Sequence, residues 1–150
     1  MAQPEFQATT MTGGCLCKAI RYTLTGTPKA SGLCYCPDCR KASGSVFVPW
    51  MLFDATNIKI EDNLKAVRQH KGVSAMGTEK VINFCSGCGS LIFGGKYGEN
   101  VEHTVYAGTL DDEFVGYFEP KMAIFTRARP EWGAVKCEMG EFGTMPGGGE

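Results

Sequence analysis

Seven cysteines fall into three tight groups: Cys15 and Cys17 as C-x-C, Cys34, Cys36 and Cys39 as C-x-C-x-x-C, and Cys85 and Cys88 as C-x-x-C. Thiolates at such spacings suit a soft divalent ion, and zinc takes four in a closed structural site but three protein ligands where chemistry occurs. The two pairs together supply four sulfurs, with Cys15-x-Cys17 the simplest partner for Cys85-Ser-Gly-Cys88-Gly. The triplet then stands as an open site whose fourth position takes water or a substrate atom. Three thiolates and one Zn²⁺ sum to a net charge of about −1, which damps the ion as a Lewis acid and disfavours hydroxide generation. A site this soft prefers a sulfur as fourth ligand and keeps an incoming thiol ionised, so the pattern points to thiol chemistry.

Other uses of the cysteines are weaker. Disulfides suit short secreted chains, and partners one or three residues apart make awkward bridges. Buried inert thiols are common singly but not in such groups. The eighth cysteine, Cys137, stands alone in Ala134-Val-Lys-Cys-Glu138. A packed or surface strand cysteine is its ordinary reading, and a fourth ligand to the triplet is the alternative.

The elements that must hold these groups are short and mainly β. Strands are expected at Ala19–Leu24, Val46–Phe53, Asn57–Ile60, Lys65–Gln69, Lys80–Phe84, Leu91–Phe93, Val101–Ala107 and Met122–Thr126, separated by turns drawn from 20 glycines. A brief helix is expected at Pro37–Ser43. Many short strands with glycine-rich connections argue a mainly β sandwich or open barrel that metal ions staple together. Its 150 residues allow one domain, expected over 12–138, with a loose lead at 1–11 and a glycine-rich tail at 139–150 that frays.

A formal net charge of −1 gives no field to recruit nucleic acid or acidic lipid, and no run is long enough to span a membrane. The start lacks a signal-peptide pattern, so a reducing, cytoplasmic setting is expected.

Three longer strings carry a family pattern: Gly14-Cys-Leu-Cys-Lys-Ala-Ile-Arg-Tyr22, Cys34-Tyr-Cys-Pro-Asp-Cys-Arg-Lys-Ala-Ser-Gly-Ser45, and Phe84-Cys-Ser-Gly-Cys-Gly-Ser-Leu-Ile-Phe93. With Ala107-Gly-Thr-Leu-Asp-Asp112, they resemble the glutathione-dependent formaldehyde-activating enzymes, a family that includes centromere-protein-V-like proteins. The resemblance covers about Thr12 to Trp132. It implies a β-tent fold with two zinc ions, a structural one on Cys15, Cys17, Cys85 and Cys88 and a catalytic one on Cys34, Cys36 and Cys39. The implied activity joins the thiol of glutathione to formaldehyde, formally a carbon–sulfur lyase in reverse. Family members often carry a histidine in the strand before Pro-x-Trp; here Met122-Ala-Ile-Phe-Thr-Arg-Ala-Arg-Pro-Glu-Trp132 has none, which bears on the substrate accepted.

Around the triplet, Arg40 is the candidate for charge stabilisation or for clamping a carboxylate, against a structural ion pair. Lys41, Ser43 and Ser45 are further donors for an anionic tripeptide, although serines here suit turns. Arg127 and Arg129 alternate as on a strand, either as a carboxylate clamp or a solvated face. Phe47, Trp50 and Phe53 divide between pocket wall and core. His70 and His103 read as surface or strand residues, and Asp111-Asp112-Glu113 as a solvated loop. The competing reading of the whole chain is a zinc-stapled binding module without catalysis, or a relative acting on another thiol adduct.

Overall fold

A computed structural model describes residues 10–133 and 139–147. Cys137 lies outside the described residues. Strands dominate, in two sheets. Strands β1 (Met11–Gly14), β2 (Arg21–Leu24) and β5 (Ile58–Glu61) form a small antiparallel sheet in the order β1-β2-β5. Strands β3 (Ala30–Cys34), β4 (Val48–Phe53), β6 (Val67–Val73), β7 (Glu79–Cys85), β8 (Leu91–Gly94), β9 (His103–Tyr106), β10 (Met122–Ile124) and β11 (Gly140–Glu141) form the other. Their order is β11-β10-β3-β4-β9-β8-β7-β6, with β10 parallel to both neighbours and the remaining pairs antiparallel.

Because side chains alternate across a strand, the large sheet has two faces with different tasks. Met51, Phe53, Phe93, Val105 and Cys85 pack inward against Met11, Tyr22 and Leu24 of the small sheet, forming the main core. Val48, Trp50, Tyr106 and Ile124 belong to a separate cluster on the other face, around Cys34, Cys36 and Cys39. Phe53 and Trp50 thus part company as their odd spacing requires, while Phe47 packs edge-on to Tyr35 at 5.6 Å.

Asn83 is fully buried in β7, where the register with β8 shifts. Its amide donates to Phe93 O at 3.0 Å and Gly95 O at 2.7 Å and accepts from Gln69 at 3.0 Å. Those bonds pair the buried amide on both its donor and acceptor sides beside the irregularity.

Three expectations need correction. The strand at Met122 ends at Ile124, because Phe125 adopts a left-handed φ of 57° and turns the chain into a 3₁₀ segment, Thr126–Ala128. Arg127 and Arg129 therefore share no strand face. Within the expected loose tail, the described residues 139–147 fold back: β11 pairs with β10, Phe142 N donates to Ala123 O at 2.9 Å, and Thr144 is buried. A lone edge left by β10 draws this segment in, since an unpaired strand edge is costly. At the other end Met11 is buried and already in β1, one residue inside the expected lead.

Candidate metal centres

Each pair of the first cysteine group sits in a knuckle. Cys15 N donates to Ile20 O at 3.1 Å and Lys18 N to Cys15 O at 3.0 Å, with Lys18 at φ 65°. Across from it, Gly89 N donates to Cys85 O at 2.7 Å, and Gly89 takes φ 77°, a conformation that suits glycine. Gly14 brings the first knuckle close to its return strand; a Cβ there would overlap the Ile20 carbonyl oxygen.

The sulfur atoms of Cys15, Cys17, Cys85 and Cys88 all lie within 4.8 Å of one another. Cys17 Sγ is 3.6 Å from Cys15 Sγ and 3.7 Å from Cys85 Sγ. Those distances exclude disulfides, whose S–S bond is about 2.0 Å. Sulfurs bound tetrahedrally at about 2.3 Å to zinc would lie about 3.8 Å apart, so the group has the spacing of a zinc site. Backbone N–H groups of Ile20 and Gly87 donate to Cys15 and Cys85 Sγ, each at 3.3 Å, and Ser90 Oγ lies 3.2 Å from Cys88 Sγ. These contacts orient the donors and spread their charge, as outer-shell groups do at metal sites. Contact with Ser90 holds the Cys88 thiol down to about 5.

On the opposite face of the large sheet, Cys34 ends β3 and Cys36 caps helix α1 (Pro37–Ser43), the expected span. Pro37 fits the first helical position, where no backbone donor is needed, and Gly44 closes the helix at φ 67°. Cys36 Sγ accepts from Cys39 N at 3.3 Å, so the cap turns both sulfurs towards Cys34. The three Sγ atoms lie within 4.8 Å of one another, all buried. No fourth histidine, cysteine or carboxylate joins the triplet among the described residues. It fits a soft ion with one position left open.

Sequence reasoning missed the cation at this site. Lys80, on the outward face of β7, donates from Nζ to Cys36 Sγ and Cys39 Sγ, each at 3.3 Å, and its ammonium is 4.0 Å from Asp38. Burial opposes its charge, but the Cys39 and Cys36 sulfurs outweigh burial and hold its pKa above the usual range. Contacts from Cys34 and Cys39, then the Cys39 N–H and Lys80, hold Cys36 well below an ordinary thiol. No hydrogen bond or ion pair joins the Arg40 side chain to the triplet among the described residues; the cation in contact with its sulfurs is Lys80. An odd–even reading of Lys80-Val-Ile-Asn-Phe-Cys85 puts Lys80 opposite to Cys85, but only the sheet order reveals what it faces.

Other candidates take structural places. Ser43 Oγ donates to Cys39 O at 2.7 Å and accepts from Ser45 N at 3.1 Å, the turn role. Arg129 pairs with Glu141 at 2.6 Å and lies 5.3 Å over the Tyr35 ring, whereas Arg127 is exposed. His103 is buried in β9 with Nδ1 3.2 Å from Gly94 O, and His70 is exposed on β6. Asp111 corrects the solvated-loop reading: Arg21 grips both its oxygens at 2.8 and 2.5 Å and Thr12 donates at 2.6 Å. Arg21 and then Thr12 hold its carboxyl down to about 2. Asp112 opens helix α2 (Asp112–Val115).

An aromatic wall of Trp50, Tyr106, Phe125 and Phe142 packs on the triplet, and Trp50 Nε1 is buried with no partner among the described residues. Beside the triplet lies a cleft of about 430 Å³ between α1 and strands β6–β8, bordered by Asp38, Lys41, His70 and Lys80 over Ile82, Phe84 and Leu91. No helix among the described residues is long and apolar enough to cross a membrane.

Comparison with known proteins agrees with this architecture. A crystal structure of a Rhodobacter sphaeroides protein, a structural genomics target, superposes with a TM-score of 0.51 at 16% identity, covering 68% of this chain and 89% of the other. That likeness speaks for the fold alone. No curated protein matches the chain in sequence. The profile of the glutathione-dependent formaldehyde-activating enzymes matches residues 10–128, a span that contains both cysteine groups and Lys80. On that match the chain belongs to the glutathione-dependent formaldehyde-activating enzyme family.

Proposed function

We propose that the chain is a zinc-dependent carbon–sulfur lyase of this family, joining a small thiol such as glutathione to formaldehyde or a related small carbonyl, with two zinc ions per chain. The family's own description supplies the two substrates. The observation that supports the reading is the triplet: three converging sulfurs, no fourth protein donor among the described residues, and a lysine ammonium against two of them. Cys15, Cys17, Cys85 and Cys88 hold the structural ion in this reading, and Cys34, Cys36 and Cys39 the catalytic one.

Zinc held by the triplet supplies a soft centre that keeps a bound thiol as thiolate. The reaction balances as R–SH + H₂C=O → R–S–CH₂–OH. The S–C bond forms, the carbonyl π bond breaks, and the thiol proton ends on the carbonyl oxygen. Lys80 offsets the excess negative charge of three thiolates, the cap of α1 fixes the sulfurs, and the aromatic wall keeps water from one side. Holding both reactants is the main contribution, since oriented bimolecular partners gain several kcal/mol, up to about 11. A cytoplasmic, reducing setting suits seven thiols that serve as ligands.

Two-dimensional exchange NMR of formaldehyde with glutathione tests the proposal: the protein should accelerate exchange over the protein-free mixture, and Cys39→Ser should abolish the acceleration. An unchanged rate assigns the chain to another thiol adduct, or to the non-catalytic zinc-stapled module. The cleft beside the triplet favours the first of these.

A further inference from the structure

The cleft next to the triplet has a chemistry that neither the zinc sites nor formaldehyde uses. Its floor is the outward face of β7 with a neighbour from β8, namely Ile82, Phe84 and Leu91, and the exposed Val73 of β6 lies at its edge. Strand alternation puts Lys80, Ile82 and Phe84 on one face, so floor and site are continuous. Lys80 borders the cleft while its Nζ touches Cys36 and Cys39 Sγ. An occupant of the cleft therefore lies against the Lys80 side chain, whose ammonium reaches two of the three sulfurs. At about 430 Å³ the space falls in the range of small-molecule sites, whereas formaldehyde has two heavy atoms.

The charges select the occupant further. Lys80 is committed to the two sulfurs and to Asp38. Lys41, exposed on α1 at the rim, has no ion pair among the described residues. With Asp38 drawn to Lys80 and His70 across from Ile82 at the edge, Lys41 is the one lining lysine without an ion pair among the described residues, and it matches one carboxylate on an apolar body. Glutathione, with two carboxylates, an ammonium and no apolar side chain, leaves that floor uncovered, so it reacts at the triplet as the weaker-binding of the two thiol classes.

We propose that this cleft seats the non-reacting arm of the thiol substrate, and that the arm is an alkyl or aryl group bearing a single carboxylate that meets Lys41. The assignment rests on the reading of the triplet as a thiol-binding metal site.

The test separates the two claims. First, 4-phenylbutyrate, which has no thiol, is titrated into zinc-loaded protein carrying ¹³C-labelled Ile, Leu and Val methyls. Saturable shifts are expected at Ile82, Leu91 and Val73, with at least fivefold weaker binding in Lys41→Gln, the loss of about one charge-assisted hydrogen bond. No saturable shift at those methyls, an equal response to glutathione, or unchanged affinity in Lys41→Gln overturns the assignment. This arm needs neither turnover nor a thiol, so it stands or fails apart from the formaldehyde exchange. Second, 2-mercapto-4-phenylbutyrate should bind at least tenfold tighter than 4-phenylbutyrate and lose that gain in Cys39→Ser. Equal affinity of the two acids overturns placing a thiol's arm in the cleft.

Discussion

Loss of metal from the two centres should cost unequal amounts of stability, and the difference follows from chain separation. Cys17 and Cys85 stand 68 positions apart, so an ion joining them closes a long loop. The entropy of closing it amounts to about 4 kcal/mol at 25 °C on the relation used for cross-links. From Cys34 to Cys39 the separation is five positions, for which the same relation gives about 2 kcal/mol. The gap of about 2 kcal/mol, at roughly 2–4 °C per kcal/mol for a chain of this size, becomes about 4–8 °C in melting temperature. Burial adds to the difference at Cys85, which is 0% exposed within the main core, but not at Cys17, which is exposed where Cys39 is buried. Thermal melts by circular dichroism, with zinc counted by mass spectrometry, should show Cys17→Ser and Cys85→Ser melting about 4–8 °C below Cys39→Ser, each variant retaining about one of two zincs. Equal melting temperatures, or the reverse order, refute the division into a stapling centre and a local one.

Lys80→Met removes two N–H···S bonds, so the sulfur-to-metal charge-transfer band of the cobalt-substituted triplet should move to lower energy, while Arg40→Gln leaves it in place. Gly14→Ala should cost about 2 kcal/mol or more in urea unfolding, because the obstacle to a Cβ is the backbone carbonyl of Ile20, which cannot swing aside as a side chain would. Asp111 has its carboxyl lowered from 3.8 to about 2, so the unfolded chain binds the proton more readily. Its contribution is complete above about pH 4 and lost as pH falls through 2; Asp111→Asn should flatten the acid limb of stability in that window. High salt should shrink the difference, since Arg21 and Asp111 side chains are 34% and 29% exposed.

Short-range chemistry made much of this protein legible. Three sulfurs within six residues converge for local reasons, and the cap at Cys36 with Pro37 and Gly44 sets the helix bounds that the sequence implies. Alternation and glycine turns disclosed most strands and the mainly β class. Strand β3 escaped because Ala30-Ser-Gly-Leu-Cys34 lacks strand-forming bulk. Its conformation comes from pairing with β4 and β10, and Gly32 leaves room for Trp50 and Met122. Lys80 lies 41 and 44 positions from its sulfurs, and Asp111 lies 90 from Arg21. Such partnerships depend on sheet order, which no local pattern encodes.

Strand β7 serves both centres at once, with Cys85 turned to the core and Lys80, five residues earlier, turned to the triplet. An odd separation is what places them on opposite sides. The strand therefore obeys a parity rule: inserting or deleting one residue between positions 80 and 85 would send the ammonium into the core or a zinc-ligating sulfur away from its partners. A change of two residues preserves the sides and alters only reach. The two centres thus share one strand as their frame, and neither can be shifted by a single residue without displacing the other.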